Sequence, residues 1–320
     1  MRKMTVLLGN VMNFFVFIGK SYLNYNLSGE NINIMGCAIE AVCRRKGSVV
    51  SEPGCAEEKT IMKRLAHAKV NIGLIVGKRR SDGYHDLETY MARIGMADLL
   101  ELEIVPSDSL SITLEGNDYL QGGEDLMEKA ARAFSAWWGI NFSLSVRIEK
   151  RIPLEAGLGG GSSDAACVLE ALSSFFSKPL PVELCAAVGS DVPFLASGAV
   201  CARVTGRGEV VEPCDGFSGE TVYVLVPRSG VNTAAAFKAL DSIARPLRHL
   251  PALGSCVPER EVYPNDFELV YTGERPEGLL RGPDYCSLTG SGSGWFIITR
   301  FLNECLFTSA DYVLHQTEFM

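Results

Sequence analysis

Hydrophobic and polar positions alternate strictly at Phe142, Leu144, Val146 and Ile148, the period-two pattern of a half-buried strand. Further on, Ala165, Ala166, Val168, Leu169, Leu172, Phe175 and Phe176 recur at helical spacing. The stretch "RIPLEAGLGGGSSDAACVLEAL", residues 151–172, joins the two patterns, so its glycines and serines open a helix. A helix start carries backbone N–H groups with no intrahelical partner, and its dipole favours negative charge. Glycines without side chains let an anion reach those donors, and the loop is read as a phosphate cradle. It lacks the lysine of a Walker A loop, and it departs from G-x-G-x-x-G after Gly157-Leu158-Gly159. A plain glycine-rich turn, with Ser162, Ser163 and Asp164 as helix caps, fits the loop taken alone.

The same two periods organise the chain from about residue 65. "AHAKVNIGLIV" and "HDLETYMARI" read as strands around the polar loop "GKRRSDGY", and "LLELEIV" and "SLSITLEG" as a hairpin turned by "PSDS". "EDLMEKAARAFSAWWG" predicts a helix with Leu126, Ala130, Phe134, Trp137 and Trp138 on one face and Gly139 as its stop. A short helix, "VELCAAV", leads into "GSDVPFLASG" and the strands "AVCARVT" and "EVVEP". "DGFSGE" reads as a junction near residue 216; "TVYVLVP" (strand), "TAAAFKALDSI" (helix) and "GWFIIT" (strand) follow it. This mixture predicts an α+β protein in two lobes, residues 62–215 and 216–320.

The first 61 residues do not share the pattern. "MTVLLGNVMNFFVFIGKSYL" is apolar behind Arg2 and Lys3, but Asn10 and Asn13 interrupt it and Lys20 closes it. It falls short of the ~20 residues a membrane-spanning helix needs. The segment is expected to be an extension, poorly ordered or a start-site artefact, with the functional chain beginning near Met62.

Composition narrows the function. With 47% hydrophobic and 21% charged residues in 320, the chain has the makings of a real core. A net charge of −8 argues against general nucleic-acid binding, and no membrane association is expected. The ten cysteines are scattered without any C-x-x-C pair, and they read as small buried hydrophobes of a reducing cytoplasm.

Three further stretches carry reactive groups where structure does not demand them. Lys69 in "AHAKVN" interrupts an apolar strand, and a buried lysine needs an anion or a route to solvent. Asp191 stands in "GSDVPF" beside apolar neighbours, and Gly290, Gly292 and Gly294 form a second flexible loop in "SLTGSGSGWF". Taken singly, a surface lysine, a helix cap and a hairpin turn account for them.

Together they resemble the GHMP kinase superfamily, whose ATP loop reads P-x-x-x-G-L-G-[GS]-S-S and is here "PLEAGLGGGSS". Within it the chain is similar to the 4-diphosphocytidyl-2-C-methyl-D-erythritol kinase family. "AKVN", "DGYH", the triple glycine of "GLGGGSSDAA", "GSDVPF" and "NDFE" follow in that family's order from about residue 65 to 298. One departure stands out: the family's "APAK" is "AHAK" here, with His67 for proline.

The resemblance implies a ribosomal protein S5 domain 2-like N-terminal lobe and a ferredoxin-like C-terminal lobe. It implies ATP and Mg2+, with Asp191 as the catalytic carboxylate and Lys69 countering charge beside it. Pro153, Leu154, Glu155, Ala156, Gly157, Leu158, Gly159, Gly160, Gly161, Ser162 and Ser163 would wrap the triphosphate, and Gly290, Ser291 and Gly292 would close against it. Metal ligands are not assigned beyond Ser162 or Ser163 as candidates. The substrate would be a small molecule, a cytidyl diphosphate sugar-alcohol. Tyr84 and Phe237 would sandwich its cytosine, with Asn71, His85 and Thr233 hydrogen-bonding polar atoms. A monomer or weak homodimer is expected. The alternatives are another GHMP kinase, acting on homoserine, mevalonate or a sugar, and a silent nucleotide-binding protein of the same fold.

Overall fold

The computed structural model describes residues 60–116, 125–217, 219–228, 230–246, 248–254, 259, 261–273, 275–276, 285–298 and 312–320, and the backbone of four short strands before them. Those four, β1 (Lys3–Leu8), β2 (Val11–Ile18), β3 (Ser21–Tyr25) and β4 (Asn31–Ile34), pair as an antiparallel sheet. The remainder of the segment read as an extension, up to residue 59, lies outside the described residues, as do Cys37, Cys43, Cys55, Cys256 and Cys305.

β5 (Thr60–Arg79) and β6 (His85–Pro106) form one long antiparallel hairpin, with register shifts at His67/Lys69, Ile72/Leu74 and Val76/Arg79. "LLELEIV" therefore continues the strand begun by "HDLETYMARI". The length has a cause in packing. Leu100, Leu102 and Ile104 enter the core beneath the helices, while Val70, Ile72, Tyr90 and Ile94 join a second core with Val222, Val224, Tyr285 and Phe296. One ribbon serves both lobes.

β7 (Ser111–Gly116) does not make the expected hairpin with β6. It runs parallel to β8 (Phe142–Glu149), which lies between them, and α1 (Leu126–Trp138) is the crossover. Burial explains the choice. Phe142, Leu144, Val146 and Ile148 are all buried and claim the inner position, whereas β7 offers only Ile112 and Leu114 and suits an edge. In α1, Met127, Ala130, Ala131 and Phe134 face the core. Trp137 falls on the flank of that stripe and is exposed, contrary to expectation. Asp125 caps the start by accepting from Met127 N at 2.7 Å, and Gly139 ends the helix at a φ of 63°.

α2 (Gly160–Phe176), α3 (Val182–Val188) and α4 (Val192–Ala196) cover one face of the sheet, which β9 (Cys201–Gly206) and β10 (Val210–Pro213) extend at the edge beside β6. The second lobe is built on β11 (Thr221–Pro227), α5 (Thr233–Asp241), a single 3-10 turn (Asp266–Leu269), β12 (Tyr285–Leu288), β13 (Trp295–Ile298) and β14 (Tyr312–Glu318). Its spatial order β12-β13-β11-β14, antiparallel throughout, is that of a ferredoxin-like lobe. β14 lies beyond the motifs and still completes the sheet. Among the described residues, no helix is long and apolar enough to cross a membrane. Cys167, Cys185 and Cys201 are buried free thiols, and Cys286 is buried as well.

Candidate active site

The register shift between His67 and Lys69 re-aims the side chain that follows it. Lys69 is 3% exposed, and its ammonium meets three acceptors. Nζ donates to Asn71 Oδ1 at 2.6 Å and Gly157 O at 3.0 Å, and lies 3.2 Å from Asp191 Oδ2. All three donors of the group are thereby matched, the condition for burying the charge. Asp191 occupies the cap position of α4, yet its side chain makes no cap hydrogen bond. Its backbone is helical (φ −86°, ψ −15°) rather than extended, which releases the carboxylate toward Lys69.

Above this pair stands the glycine loop. Gly159, at φ 70°, takes the cap position of α2; a Cβ there would lie 3.0 Å from Lys69 Cε and 3.4 Å from Asp191 Oδ2. The missing side chain is what keeps the pair open. The first bond of the helix runs from Ser163 N to Gly159 O, so the N–H groups of Gly160, Gly161 and Ser162 remain at the helix mouth. Ala156 and Leu158 are buried in the core and contribute backbone alone, while Leu154 and Glu155 are exposed and Pro153 half-buried. Ser163 is turned away: its Oγ donates to His67 O at 2.7 Å. Of the two serines, Ser162 is the one that lines the cavity.

The second loop is docked on the first. Gly294 N donates to Ala156 O and Ser293 N to Glu155 O, each at 3.2 Å, and Thr289 Oγ1 donates to Gly157 O at 3.1 Å. Gly157, at φ 71°, allows this approach, because a Cβ would fall 2.0 Å from Thr289 O. Gly290 N donates to Asn71 Oδ1 at 2.9 Å, and Asn71 Nδ2 donates to Thr89 Oγ1 at 3.1 Å. Asn71 thus ties the lysine to the second loop. Asn265 Nδ2 fixes the second loop through Leu288 O and Gly290 O, at 2.7 and 2.9 Å.

A cavity of about 280 Å³ opens over Lys69, Gly159, Ser162 and Asp191, with Ser291 and Thr233 at its rim. Thr233 Oγ1 and Ser291 Oγ are 2.9 Å apart, so the start of α5 is tied to the second loop. Sharing Leu87, Ser190, Thr233 and Phe237, a wider chamber of about 670 Å³ continues to Tyr84, His85 and Arg207. Tyr84 and Phe237 both line it, but one face of each ring is taken. The Arg207 guanidinium lies 3.7 Å from the Tyr84 centroid, and His85 stacks on Phe237 at 5.0 Å and 23°.

A model of the GHMP kinases N terminal domain matches residues 125–202. A 4-diphosphocytidyl-2-C-methyl-D-erythritol kinase of Anaeromyxobacter dehalogenans (strain 2CP-C) is 35% identical over 252 residues, covering 72% of this chain and 77% of that one. The chain belongs to the 4-diphosphocytidyl-2-C-methyl-D-erythritol kinase family. Another member, from Methylacidiphilum infernorum (isolate V4), is 32% identical over 78% of this chain and 92% of its own. A crystal structure of a 4-(cytidine 5'-diphospho)-2C-methyl-D-erythritol kinase superposes with a TM-score of 0.62 at 32% identity, over 80% of this chain and 99% of that one. Kinases of this family use ATP with Mg2+, and the open helix mouth with its side-chain-free Gly159 fits a triphosphate.

Two structural devices of the kinase were not legible beforehand. The first joins Lys150, at the foot of the glycine loop, to two carboxylates: Asp98 Oδ2 at 2.5 Å and Asp164 Oδ2 at 2.7 Å. Asp98 Oδ1 also accepts from Arg151 N and Ile152 N, at 2.5 and 2.8 Å. Asp164 is therefore a buried strut, not a cap. Burial pushes its carboxyl up to about 7, against the pull of Lys150 and with help from the Asp98 charge. Burial would lower Lys150, but the two carboxylates hold it above the ordinary lysine value. The second device is Arg93, which donates to Ala199 O at 2.8 Å and to Phe194 O and Leu195 O, clasping the end of α4 behind Asp191. At the departure from the family pattern, His67 Nδ1 lies 3.3 Å from Ile94 O, and burial lowers its pKa.

Proposed function

We propose that this kinase transfers the γ-phosphoryl group of ATP to the 2-hydroxyl of 4-diphosphocytidyl-2-C-methyl-D-erythritol, a step in non-mevalonate isoprenoid precursor biosynthesis. The observation that carries the reading is the Lys69–Asp191 pair, set between two docked glycine loops at the floor of a cavity leading to Tyr84, His85 and Phe237. Asp191 accepts the proton of the substrate hydroxyl as that oxygen attacks phosphorus. Lys69, held by Asn71 and Gly157, keeps the carboxylate aimed and offsets negative charge that builds up in the transition state. The N–H groups of Gly160, Gly161 and Ser162 hold phosphate oxygens at the mouth of α2. Mg2+ bound with the nucleotide neutralises charge on the phosphates, and Asp191 and Ser162 are the oxygen-bearing side chains that would face it.

Tyr84 and Phe237 bring ring faces, and Thr233 a hydroxyl, to the chamber where the cytidyl group would lie. The cationic Arg79, Arg207 and Lys238 on its wall suit a diphosphate. The enzyme is read as cytoplasmic, acting as a monomer or weak homodimer. ADP release is the test, measured with Mg2+ and the cytidyl substrate beside homoserine and mevalonate. Release that needs the cytidyl compound supports the assignment. Release with homoserine or mevalonate instead would replace it.

A further inference from the structure

Asp241 is the last residue of α5, and its carboxylate Oδ1 lies 2.8 Å from Nε2 of His85. A carboxylate only accepts, so the hydrogen of that bond sits on Nε2. In a neutral imidazole the other nitrogen, Nδ1, is then a bare acceptor. Nδ1 makes no hydrogen bond among the described residues, and it is not among the sealed, unpartnered polar atoms. His85 itself lines the wide chamber.

The ring has little freedom to turn. It stacks on Phe237 at 5.0 Å, and Phe237 is braced edge-on by Phe267 at 4.9 Å and 89°. Its backbone opens β6, paired with Arg79 of β5. Arg79, Arg207 and Lys238 also line the chamber, but they can only donate. A base amine is itself a donor, so none of the three can recognise it.

We propose that Asp241 is a positioning residue for base selection: it holds the proton on His85 Nε2 and so presents Nδ1 as an acceptor for the exocyclic amine of cytosine. The inference rests on the reading that the substrate carries a cytidyl group. Cytosine offers N–H donors at the position where uracil carries a carbonyl oxygen. Against uracil, Nδ1 would meet another acceptor, and two lone pairs would be left without a hydrogen between them. The stack on Phe237 leaves the ring no easy route to offer the opposite face. The pair therefore works as a filter between cytidine and uridine that needs no extra contact to the base.

The test uses the full chain and two probes, CDP and UDP, titrated by calorimetry into wild type, Asp241→Asn and Asp241→Glu. Wild type is expected to favour CDP by about ten-fold or more. Asp241→Asn can offer Nε2 either a lone pair or a hydrogen, and its preference should fall to about three-fold or less. Asp241→Glu, which still only accepts, should recover part of it. With the cytidyl substrate, the loss should fall on that substrate's KM and not on the KM for ATP. Long-range 1H–15N NMR of His85 should show the Nε2–H form in wild type and a mixture in Asp241→Asn. An undiminished CDP preference in Asp241→Asn, or an Nδ1–H form in wild type, would overturn the proposal. CDP preference lost in the mutant, but no ADP release in wild type, would sink the kinase reading and leave the base filter standing. Equal turnover of cytidyl and uridyl substrates by wild type would do the reverse.

Discussion

Lys69 Nζ and Asp191 Oδ2 stand 3.2 Å apart, with the space above them kept clear by the absent side chain of Gly159. The lysine is almost fully buried while the aspartate side chain keeps about a quarter of its surface exposed, 26%. The aspartate is thus the partner that a substrate can reach.

Replacing Asp191 with Asn keeps the shape and removes the proposed proton acceptor. kcat is expected to fall by about 10²–10⁴-fold with the KM for ATP little changed. Lys69→Met should also lower kcat far more than it weakens ATP binding, because Nζ faces Asp191 and main chain. Steady-state kinetics of both variants check this. A Lys69→Met enzyme that loses ATP affinity alone would place the lysine on the nucleotide instead.

Gly157→Ala puts a methyl group 2.0 Å from Thr289 O at a φ of 71°. The two loops must then part or the backbone must strain, for a loss of about 2–4 kcal/mol. The KM for ATP should rise with it. Thermal unfolding and ATP titration read the two effects, and wild-type values in both would show that the loops need not touch.

Arg93→Met should reach Asp191 from behind. It removes the donors that hold Phe194, Leu195 and Ala199, and the expected destabilisation is about 2–3 kcal/mol. The front of α4 carries Asp191, the proposed proton acceptor, so kcat should fall by roughly 10–100-fold at temperatures where the variant remains folded by circular dichroism. Full kcat with a lowered Tm would confine Arg93 to stability.

Asp164 supplies a pH signature. Its pKa is about 7 in the fold, against an ordinary value of 3.8, so the folded state binds the proton more tightly than the unfolded chain. That contribution to stability is complete below the ordinary value and is lost as pH rises to the folded value. Asp164→Asn mimics the neutral acid and lacks this loss. Its Tm should therefore match wild type near pH 4 and gain on it up to pH ~7, levelling off above. A difference in Tm that does not change with pH would mean that Asp164 stays ionised throughout.

Much of the site could be read, but only from its residues taken together. Lys69 inside an apolar strand, Asp191 ahead of Val-Pro-Phe and the run of glycines before an apolar helix each have an ordinary structural reading alone, and it was their combination that pointed to the one cavity they line. Lys150 and Arg93 gave no such signal. Each is a cation at the end or middle of a strand, unremarked until Asp98, Asp164 and the carbonyls of α4 are folded around it. The hairpin expected between β6 and β7 failed for a related reason. "PSDS" reports that the chain turns, but the pairing of β6 was decided by β8, more apolar and far along the sequence. Asn71 entered through the family resemblance alone, and the fold adds what the sequence could not show, its bonds to Lys69, Gly290 and Thr89.

The hydrogen bond from Thr289 to Gly157 spans 132 residues of chain. A ribosome adding about 5–20 residues per second makes the first loop on the order of ten seconds before its partner exists. Through that interval the phosphate loop has nothing to lean on, and Lys69 lacks the backing that Asn71 receives from Gly290. An N-terminal lobe emerging alone would hold the Lys69–Asp191 pair but not the wall that confines it. The cavity over Lys69 and Asp191 therefore gains its second wall last, when residues 289–294 have emerged.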